Sequence, residues 1–251
     1  MMTTSGMRVS VIVMLMVQYS EPRPGGAGKR RRKKRRGGSG KRDAYAARQR
    51  LWRELAEERG GILVLAKNPM RDTLTIPLGP HDMKVGIYVT SDGSQTQFFT
   101  RITVLFAAAE DFGFKLTRHN AFTRLLDRVG IRSATMGNPR IDHEYRVRSP
   151  RAWHHRLRSY FLDGRLRADL VAAGPERVEV GRLKWWERGR WTPDARELRV
   201  LGRGLFLERS ELIPLMQLCE SALVRLEGTG AASPRPPGAR RPSVSSGRSR
   251  P

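Results

Sequence analysis

The sequence predicts a single α+β domain, with an antiparallel or mixed sheet, helices packed on the sheet, and disordered basic tails at both ends. Three observations predict this class. Short apolar runs alternate at strand spacing through the middle of the chain, amphipathic helices begin and end that middle segment, and most of the positive charge lies outside it. The middle segment, 43–227, is long enough to bury a hydrophobic core of its own.

The two ends of the chain hold most of its charge. The net charge is +24, of which residues 1–42 contribute +11 and residues 228–251 contribute +5, which leaves +8 for 43–227. Residues 21–42 and 228–251 consist mainly of Pro, Gly, Ser and cationic residues, and they cannot bury enough apolar surface to offset the entropy lost on ordering. We therefore expect a short apolar segment at 1–20, a disordered polybasic linker at 21–42, the domain at 43–227 and a disordered tail at 228–251.

The apolar segment runs from Val9 to Val17. As a helix it would span about 14 Å, roughly half of the ~30 Å hydrocarbon core of a membrane, so we predict no transmembrane span. It matches the apolar part of a signal peptide, but no small-residue cleavage site follows it, and we do not expect secretion. Several methionines follow Met1, so a later native start is an alternative interpretation of 1–20.

The first ordered element is a helix at 43–59, with Asp43 as its N-cap and Gly60 just beyond its end. Both faces of a strand at 97–106 are largely apolar, which predicts a central strand covered on both sides. A loop is expected at 133–139. The other predicted strands lie at 62–66, 73–78, 85–90, 112–116, 144–148, 177–186 and 197–201, and the other predicted helices lie at 122–129, 150–161, 166–172 and 210–226.

Residues 29–36 form an unbroken run of cations and are the candidate polyanion-binding residues. On an anionic membrane each cation contributes about 1 kcal/mol, and on duplex DNA each phosphate contact contributes about −0.9 to the slope of log K against log salt. A solvated run with no dedicated partner is the third interpretation. The residues are Lys29, Arg30, Arg31, Arg32, Lys33, Lys34, Arg35 and Arg36.

A Trp- and Arg-rich segment between the last two predicted strands is the second candidate site. Sites for single-stranded nucleic acid combine aromatic rings, on which bases stack, with cationic side chains that hold the backbone. The alternative interpretation is that these rings pack into the core or form a cap over it. The residues are Trp185, Trp186, Arg188, Arg190 and Trp191.

The sequence indicates no catalytic residue, metal or cofactor. It contains no nucleophile elbow, phosphate-binding loop, dinucleotide fingerprint or zinc-protease motif. One cysteine excludes a disulfide framework and a cysteine-rich zinc site. His154 and His155 are adjacent on a predicted helix, so their rings diverge by about 100° and cannot bind one metal together. An enzyme of unknown class is the third hypothesis for function.

A short pattern around the predicted loop resembles that of an uncharacterised bacterial family of α+β domains. Residues 136–142 read Met-Gly-Asn-Pro-Arg-Ile-Asp, and Tyr-Arg-Val and Ser-Pro follow at 145–147 and 149–150. Asn138 stands where the family has Asp, and Ile141 where it has an aromatic residue. The resemblance covers roughly 45–227 and implies a compact α+β domain, without an activity or site residues. From the residues alone, we expect Asp142 to accept hydrogen bonds from amides of the turn.

The leading hypothesis is a non-enzymatic α+β domain that the polybasic arm tethers to an anionic surface, either a membrane or nucleic acid. The alternative is a nucleic-acid-binding domain that uses the Trp/Arg hairpin. Of the 48 Lys and Arg residues 40 are Arg, a bias typical of GC-rich coding, so we expect a bacterial source. We expect the protein in the cytoplasm, at the membrane surface if its polyanion is lipid. The sequence does not predict an oligomeric state.

Overall fold

The computed structural model describes residues 39–91, 93, 95–119, 135–183 and 188–238. They form an α+β domain built on an eight-stranded antiparallel sheet, which confirms the predicted fold class and resolves the sheet as antiparallel. The helices are α1 Ser39–Arg59, α2 Pro139–Glu144, α3 His154–Phe161, α4 Gly164–Ala173 and α5 Arg209–Gly228. The strands are β1 Ile62–Val64, β2 Thr73–Leu78, β3 His81–Ser91, β4 Thr96–Ala107, β5 Phe114–Arg118, β6 Tyr145–Arg148, β7 Arg177–Arg182 and β8 Ala195–Arg203.

The order of the strands in the sheet is β1-β2-β3-β4-β8-β7-β5-β6, and every neighbouring pair is antiparallel. The first four strands form a meander. β8 then pairs with β4, so the hairpin of β7 and β8 joins the meander to β5 and β6. This arrangement confirms that β4 is a central strand, since it has a partner along each edge.

The hydrophobic core lies on one face of the sheet. On β4 the alternate residues Ile102, Val104 and Phe106 are at most 1% exposed and point to this face. All five described helices contribute to the same hydrophobic cluster, with α5 packed on β4 and β8, and α1 packed on β1 and β2. The other face of β4 was also expected to be covered, and there Phe99 and Thr103 are buried while Arg101 and Leu105 are half-buried. We call this second face the outer face.

The sequence analysis did not predict helix α2, which begins at the last residue of the loop expected at 133–139. Pro139 begins α2, and the side chain of Asn138 caps it by accepting hydrogen bonds from the amides of Arg140 and Ile141. A proline in the first turn behind an Asn cap is a standard helix start, and the expected loop extended one residue too far. Asp142 accepts a hydrogen bond of 2.6 Å from the amide of Met136, which confirms its expected role in the turn.

The ends of the domain differ from the predicted boundaries. α1 begins at Ser39, so Asp43 lies inside the helix and is not its N-cap. At the other end the chain remains packed beyond residue 228: Ala232 is 3% exposed and bridges to Ala108, and Gly238 accepts a hydrogen bond from the amide of Thr192. The boundary at 228 was therefore placed too early, because the small Ala residues pack where composition suggested a tail. The segment at 1–20, the polybasic run and the helix expected at 122–129 lie outside the described residues.

A buried ion pair connects α1 to the turn before β2. Arg48 and Asp72 have side chains that are 0% exposed, and Nη2 of Arg48 lies 2.8 Å from Oδ2 of Asp72. The carboxylate also accepts hydrogen bonds from Nε2 of Gln49, at 2.8 Å, and from the amide of Ala66, at 2.9 Å. The guanidinium lies 4.9 Å from the ring centre of Trp52. One carboxylate thus connects the helix, the strand β1 region and the turn.

Removing the charge of Arg48 should destabilise the fold strongly. Arg48→Met leaves the carboxylate of Asp72 buried without its cation, and breaking such a buried pair costs about 3–5 kcal/mol. We expect a loss of that size in the free energy of unfolding, measured by urea titration. The matched control is Arg53→Met on the exposed side of the same helix, where we expect a change within about 0.5 kcal/mol. Equal effects of the two substitutions would contradict the assigned role of Arg48.

Candidate functional site

The structure describes three of the five residues of the predicted Trp/Arg hairpin site. Trp185 and Trp186 lie outside the described residues, as does the run 29–36. Arg188 and Arg190 are exposed on a single 3-10 turn between β7 and β8, and Trp191 follows them half-buried. Nε of Arg188 donates a hydrogen bond of 2.8 Å to the carbonyl oxygen of Leu183, which ties the turn back to the end of β7.

Strand pairing assembles a row of polar residues across the outer face. Because partners in an antiparallel register point to the same face, the row can be read directly from the pairing of the strands. From Lys84 to Arg148 it crosses five inter-strand steps of about 4.8 Å, or roughly 24 Å. We call it the polar row, and its members are Thr75, Lys84, Thr103, Arg199, Glu179, Lys115 and Arg148.

Cations outnumber acids on the outer face. Lys84, Arg148 and Arg190 are exposed, and the other cations there are half-buried. The cations of the polar row, the neighbouring row and the β7–β8 turn include Lys84, Arg101, Lys115, Arg148, Arg177, Arg190 and Arg199, and the acids on the same strands are Asp82, Glu179 and Glu197.

One arginine interacts with two of these three acids. Arg199 forms an ion pair with Glu197 and lies 3.7 Å from Glu179. By contrast, Lys84, Arg101 and Arg190 form no ion pair within the part of the chain that the structure describes. Arg199 thus pairs with two of the three acids of this face, and the cations of the face outnumber its acids.

The electrostatics at Lys115 reflect this crowding of cations. Burial lowers the pKa of the Lys115 ammonium, and the nearby charges of Arg177, Arg148 and Arg199 lower it further, against the opposing effect of Glu179. Lys115 lies directly across from Arg148 in the pairing of β5 with β6. Burial is thus the main cause of the lowered pKa, and cations on the neighbouring strands add to it.

A second cluster of cations, at the end of β7 and the start of β8, contains an acid. Arg182 and Arg196 both hold Asp111, at 2.7 Å and 2.8 Å. The hydrogen bond from Arg182, followed by that from Arg196, lowers the pKa of Asp111. Two cations thus share one carboxylate, so this acid compensates only part of the charge of the cluster.

The β7–β8 turn and the outer face enclose a cavity of about 380 Å³, which we call the turn cavity. The apolar part of the wall comes from Val85, Leu105, Leu183 and Trp191. Trp191 is half-buried and lies outside the hydrophobic core cluster. The lining residues used below are Thr75, Lys84, Arg101, Thr103, Arg190 and Trp191.

Sequence reasoning missed Lys84, Arg101, Lys115 and Arg199. The alternation within β3 and β5 marks the face on which Lys84 and Lys115 lie. It gives no indication that this face meets Arg199, since β8 lies far along the chain from both strands. The alternation within each strand thus indicates which face a residue lies on, but no sequence pattern indicates which strands are neighbours.

The described residues give no sign of a metal centre or a membrane span. No group of three or more His, Cys, Asp or Glu side chains among them could hold a metal ion. None of the helices in the described part of the chain is both long and apolar enough to cross a bilayer. Comparisons of the chain with protein-family models, with curated proteins and with solved structures found no match.

The pKa of Lys115 should respond to its neighbours in opposite directions. Arg148→Gln removes a repelling charge and should raise the pKa of Lys115, whereas Glu179→Gln removes an attracting charge and should lower it. The measurement is an NMR titration of the lysine side chains. The control is Arg71→Gln, on the turn before β2 toward the other end of the sheet, which should leave this pKa unchanged.

The same shift makes the stability of the domain depend on pH. The folded pKa of Lys115 lies below its ordinary value of 10.5, so the unfolded chain binds more protons in that range. Stability should therefore rise as the pH increases through the folded pKa toward 10.5. In the NMR titration, a pKa of Lys115 that moved in the same direction in Arg148→Gln and in Glu179→Gln would contradict the influence assigned to these two charges.

Proposed function

We propose that this protein binds nucleic acid without sequence specificity, with the outer face as the docking surface and the polybasic run 29–36 as a second source of positive charge. The observation that carries the proposal is the polar row, where cations from strands distant in sequence lie side by side and lack enough acids to neutralise them. Phosphate contacts of this kind supply most of the affinity in non-specific binding.

The shape of the outer face suits an extended chain. The polar row from Lys84 to Arg148 offers cations at intervals along roughly 24 Å, as a groove that follows a sugar-phosphate backbone requires. Trp191 borders one end of this row, where a base could stack on its ring. No base-reading motif accompanies these residues, so the proposal is limited to non-specific binding.

An anionic membrane is the second candidate, and one observation favours it. β1 lies at the edge of the sheet, and Ile62, Val64 and the following Leu65 are 67%, 56% and 51% exposed. Apolar side chains beside a cationic surface are typical of proteins that rest on anionic lipid. The run 29–36 would contribute to either partner. With either partner we place the protein in the cytoplasm, at the membrane surface in the second case.

The salt dependence of binding separates the contributions of the outer face and the run. In fluorescence anisotropy with a labelled oligothymidine, Lys115→Ser with Arg148→Ser should reduce the slope of log K against log salt by about 1.4, because each phosphate contact on a single strand contributes about 0.7. Replacing 29–36 with Gly and Ser in the full chain should reduce it by up to roughly 5.6.

The control for that measurement removes the same charge elsewhere. Arg140 and Arg165 have side chains that are 66% and 77% exposed, and each pairs with a carboxylate four residues further along its helix. Arg140→Ser with Arg165→Ser should leave the slope unchanged. If the control variant lowers the slope as much as the outer-face variant, the docking surface is wrongly assigned. Binding to phosphatidylserine vesicles without binding to oligothymidine would replace the first candidate by the second.

The role of the Trp residues is tested by single replacement with Ala of Trp185, Trp186 and Trp191. If they stack on bases, oligothymidine binding should weaken by about 1–3 kcal/mol per ring with the melting temperature preserved. If they form a cap, the melting temperature should fall and the affinity of the remaining folded protein should not change. Thermal unfolding and anisotropy on the same samples distinguish these results.

A further inference from the structure

We propose that the turn cavity, at the Lys84 end of the polar row, is a site for a nucleoside phosphate, either free or at the end of a strand. Lys84, Arg101 and Arg190 would hold the phosphate, and the base would lie against Trp191. This inference rests on the proposed preference for nucleic acid, but it concerns a different part of the outer face from Lys115 and Arg148.

The sheet register brings two of the cations together. Lys84 pairs with Thr103, and Gly86 pairs with Arg101, so Lys84 and Arg101 are diagonal neighbours on adjacent strands. Diagonal neighbours on one face lie about 7–8 Å apart, within which long side chains can meet at one ligand atom. Arg190 reaches the same cavity from the β7–β8 turn. Three cations thus converge from three separate elements.

The guanidinium of Arg101 lies against the backbone of β3. A Cβ atom at Gly86 would lie 4.0 Å from Nη2 of Arg101, which is an ordinary van der Waals contact. Arg101 lines the cavity, where its fork of donors can bind two oxygens of a phosphate at once.

None of these three cations is neutralised by the protein. Glu197 also lines the cavity, but its carboxylate forms an ion pair with Arg199. Arg199, Arg182 and Arg196 have acidic partners, whereas Lys84, Arg101 and Arg190 form no ion pair among the described residues. The missing negative charge is what a phosphate supplies.

The rest of the lining fits the remainder of a nucleotide. The cavity volume of about 380 Å³ falls within the usual 300–1,000 Å³ of small-molecule sites. The hydroxyls of Thr75 and Thr103 can donate to phosphate or sugar oxygens. Leu183 and Trp191 provide the apolar surface that a planar base requires. Inorganic phosphate would use only half of this lining.

The inference is tested by titration calorimetry of the full-length protein with AMP, adenosine and inorganic phosphate. We expect AMP to bind at least tenfold more tightly than either part alone. Lys84→Ala, which changes an exposed side chain, and Arg101→Ala should each weaken AMP binding at least tenfold, and Trp191→Ala should remove the advantage of AMP over phosphate. Arg165→Ser, on α4, serves as the control and should bind AMP as the unmodified protein does.

Two results would overturn the inference: no binding of AMP, or AMP affinity unchanged in both Lys84→Ala and Arg101→Ala with the melting temperature retained. These failures are separable from that of the proposed function. Oligothymidine binding without AMP binding rejects only the turn cavity, whereas AMP binding without oligothymidine binding rejects only the polymer. Tighter binding of a 5′-phosphorylated oligothymidine than of its 5′-hydroxyl form supports a strand end as the occupant, and equal binding supports a free nucleotide.

Discussion

The whole arrangement depends on one constraint: the five described helices bury their apolar faces in a single cluster on one side of the sheet. Each strand alternates its side chains between the two faces, so the residues that supply the core on one side leave every second position for the other. On β4 this places Ile102 and Val104 in the core and Arg101 and Thr103 opposite them. The polar row is the result of repeating this division across neighbouring strands, and the candidate sites follow from it.

The sequence predicts most of the elements and little of the site, for a physical reason. Periodicity is a local property, so strand β2 was placed at its observed ends, and β4 and α5 within a few residues. The pairing of β8 with β4 and of β7 with β5 is set by packing between distant segments, and only that pairing brings Arg199 between Thr103 and Glu179. The density of charge on a face of the sheet therefore cannot be predicted from the sequence until the strand order is known.

Arg48 shows a second limit of predicting burial from the periodicity of a sequence. It falls on the buried side of α1 together with Leu51 and Trp52, yet an arginine is ordinarily assigned to the solvent side. What reverses its position is Asp72, which follows the helix by a strand and a turn and has no fixed spacing from it. The partner that allows Arg48 to be buried thus lies outside the helix, and no periodicity of the helix itself could have indicated it.

Cys219 is the one cysteine of the chain, it is 0% exposed on α5, and burial raises the pKa of its thiol. Because the thiolate is the form that reacts, the folded protein presents an inert background to maleimides and similar reagents. A cysteine introduced at an exposed position would be the one site to take a dye or a cross-linker under native conditions. Reaction of Cys219 itself would report the opening of the core, so the natural sequence already contains a chemical probe of its own unfolding.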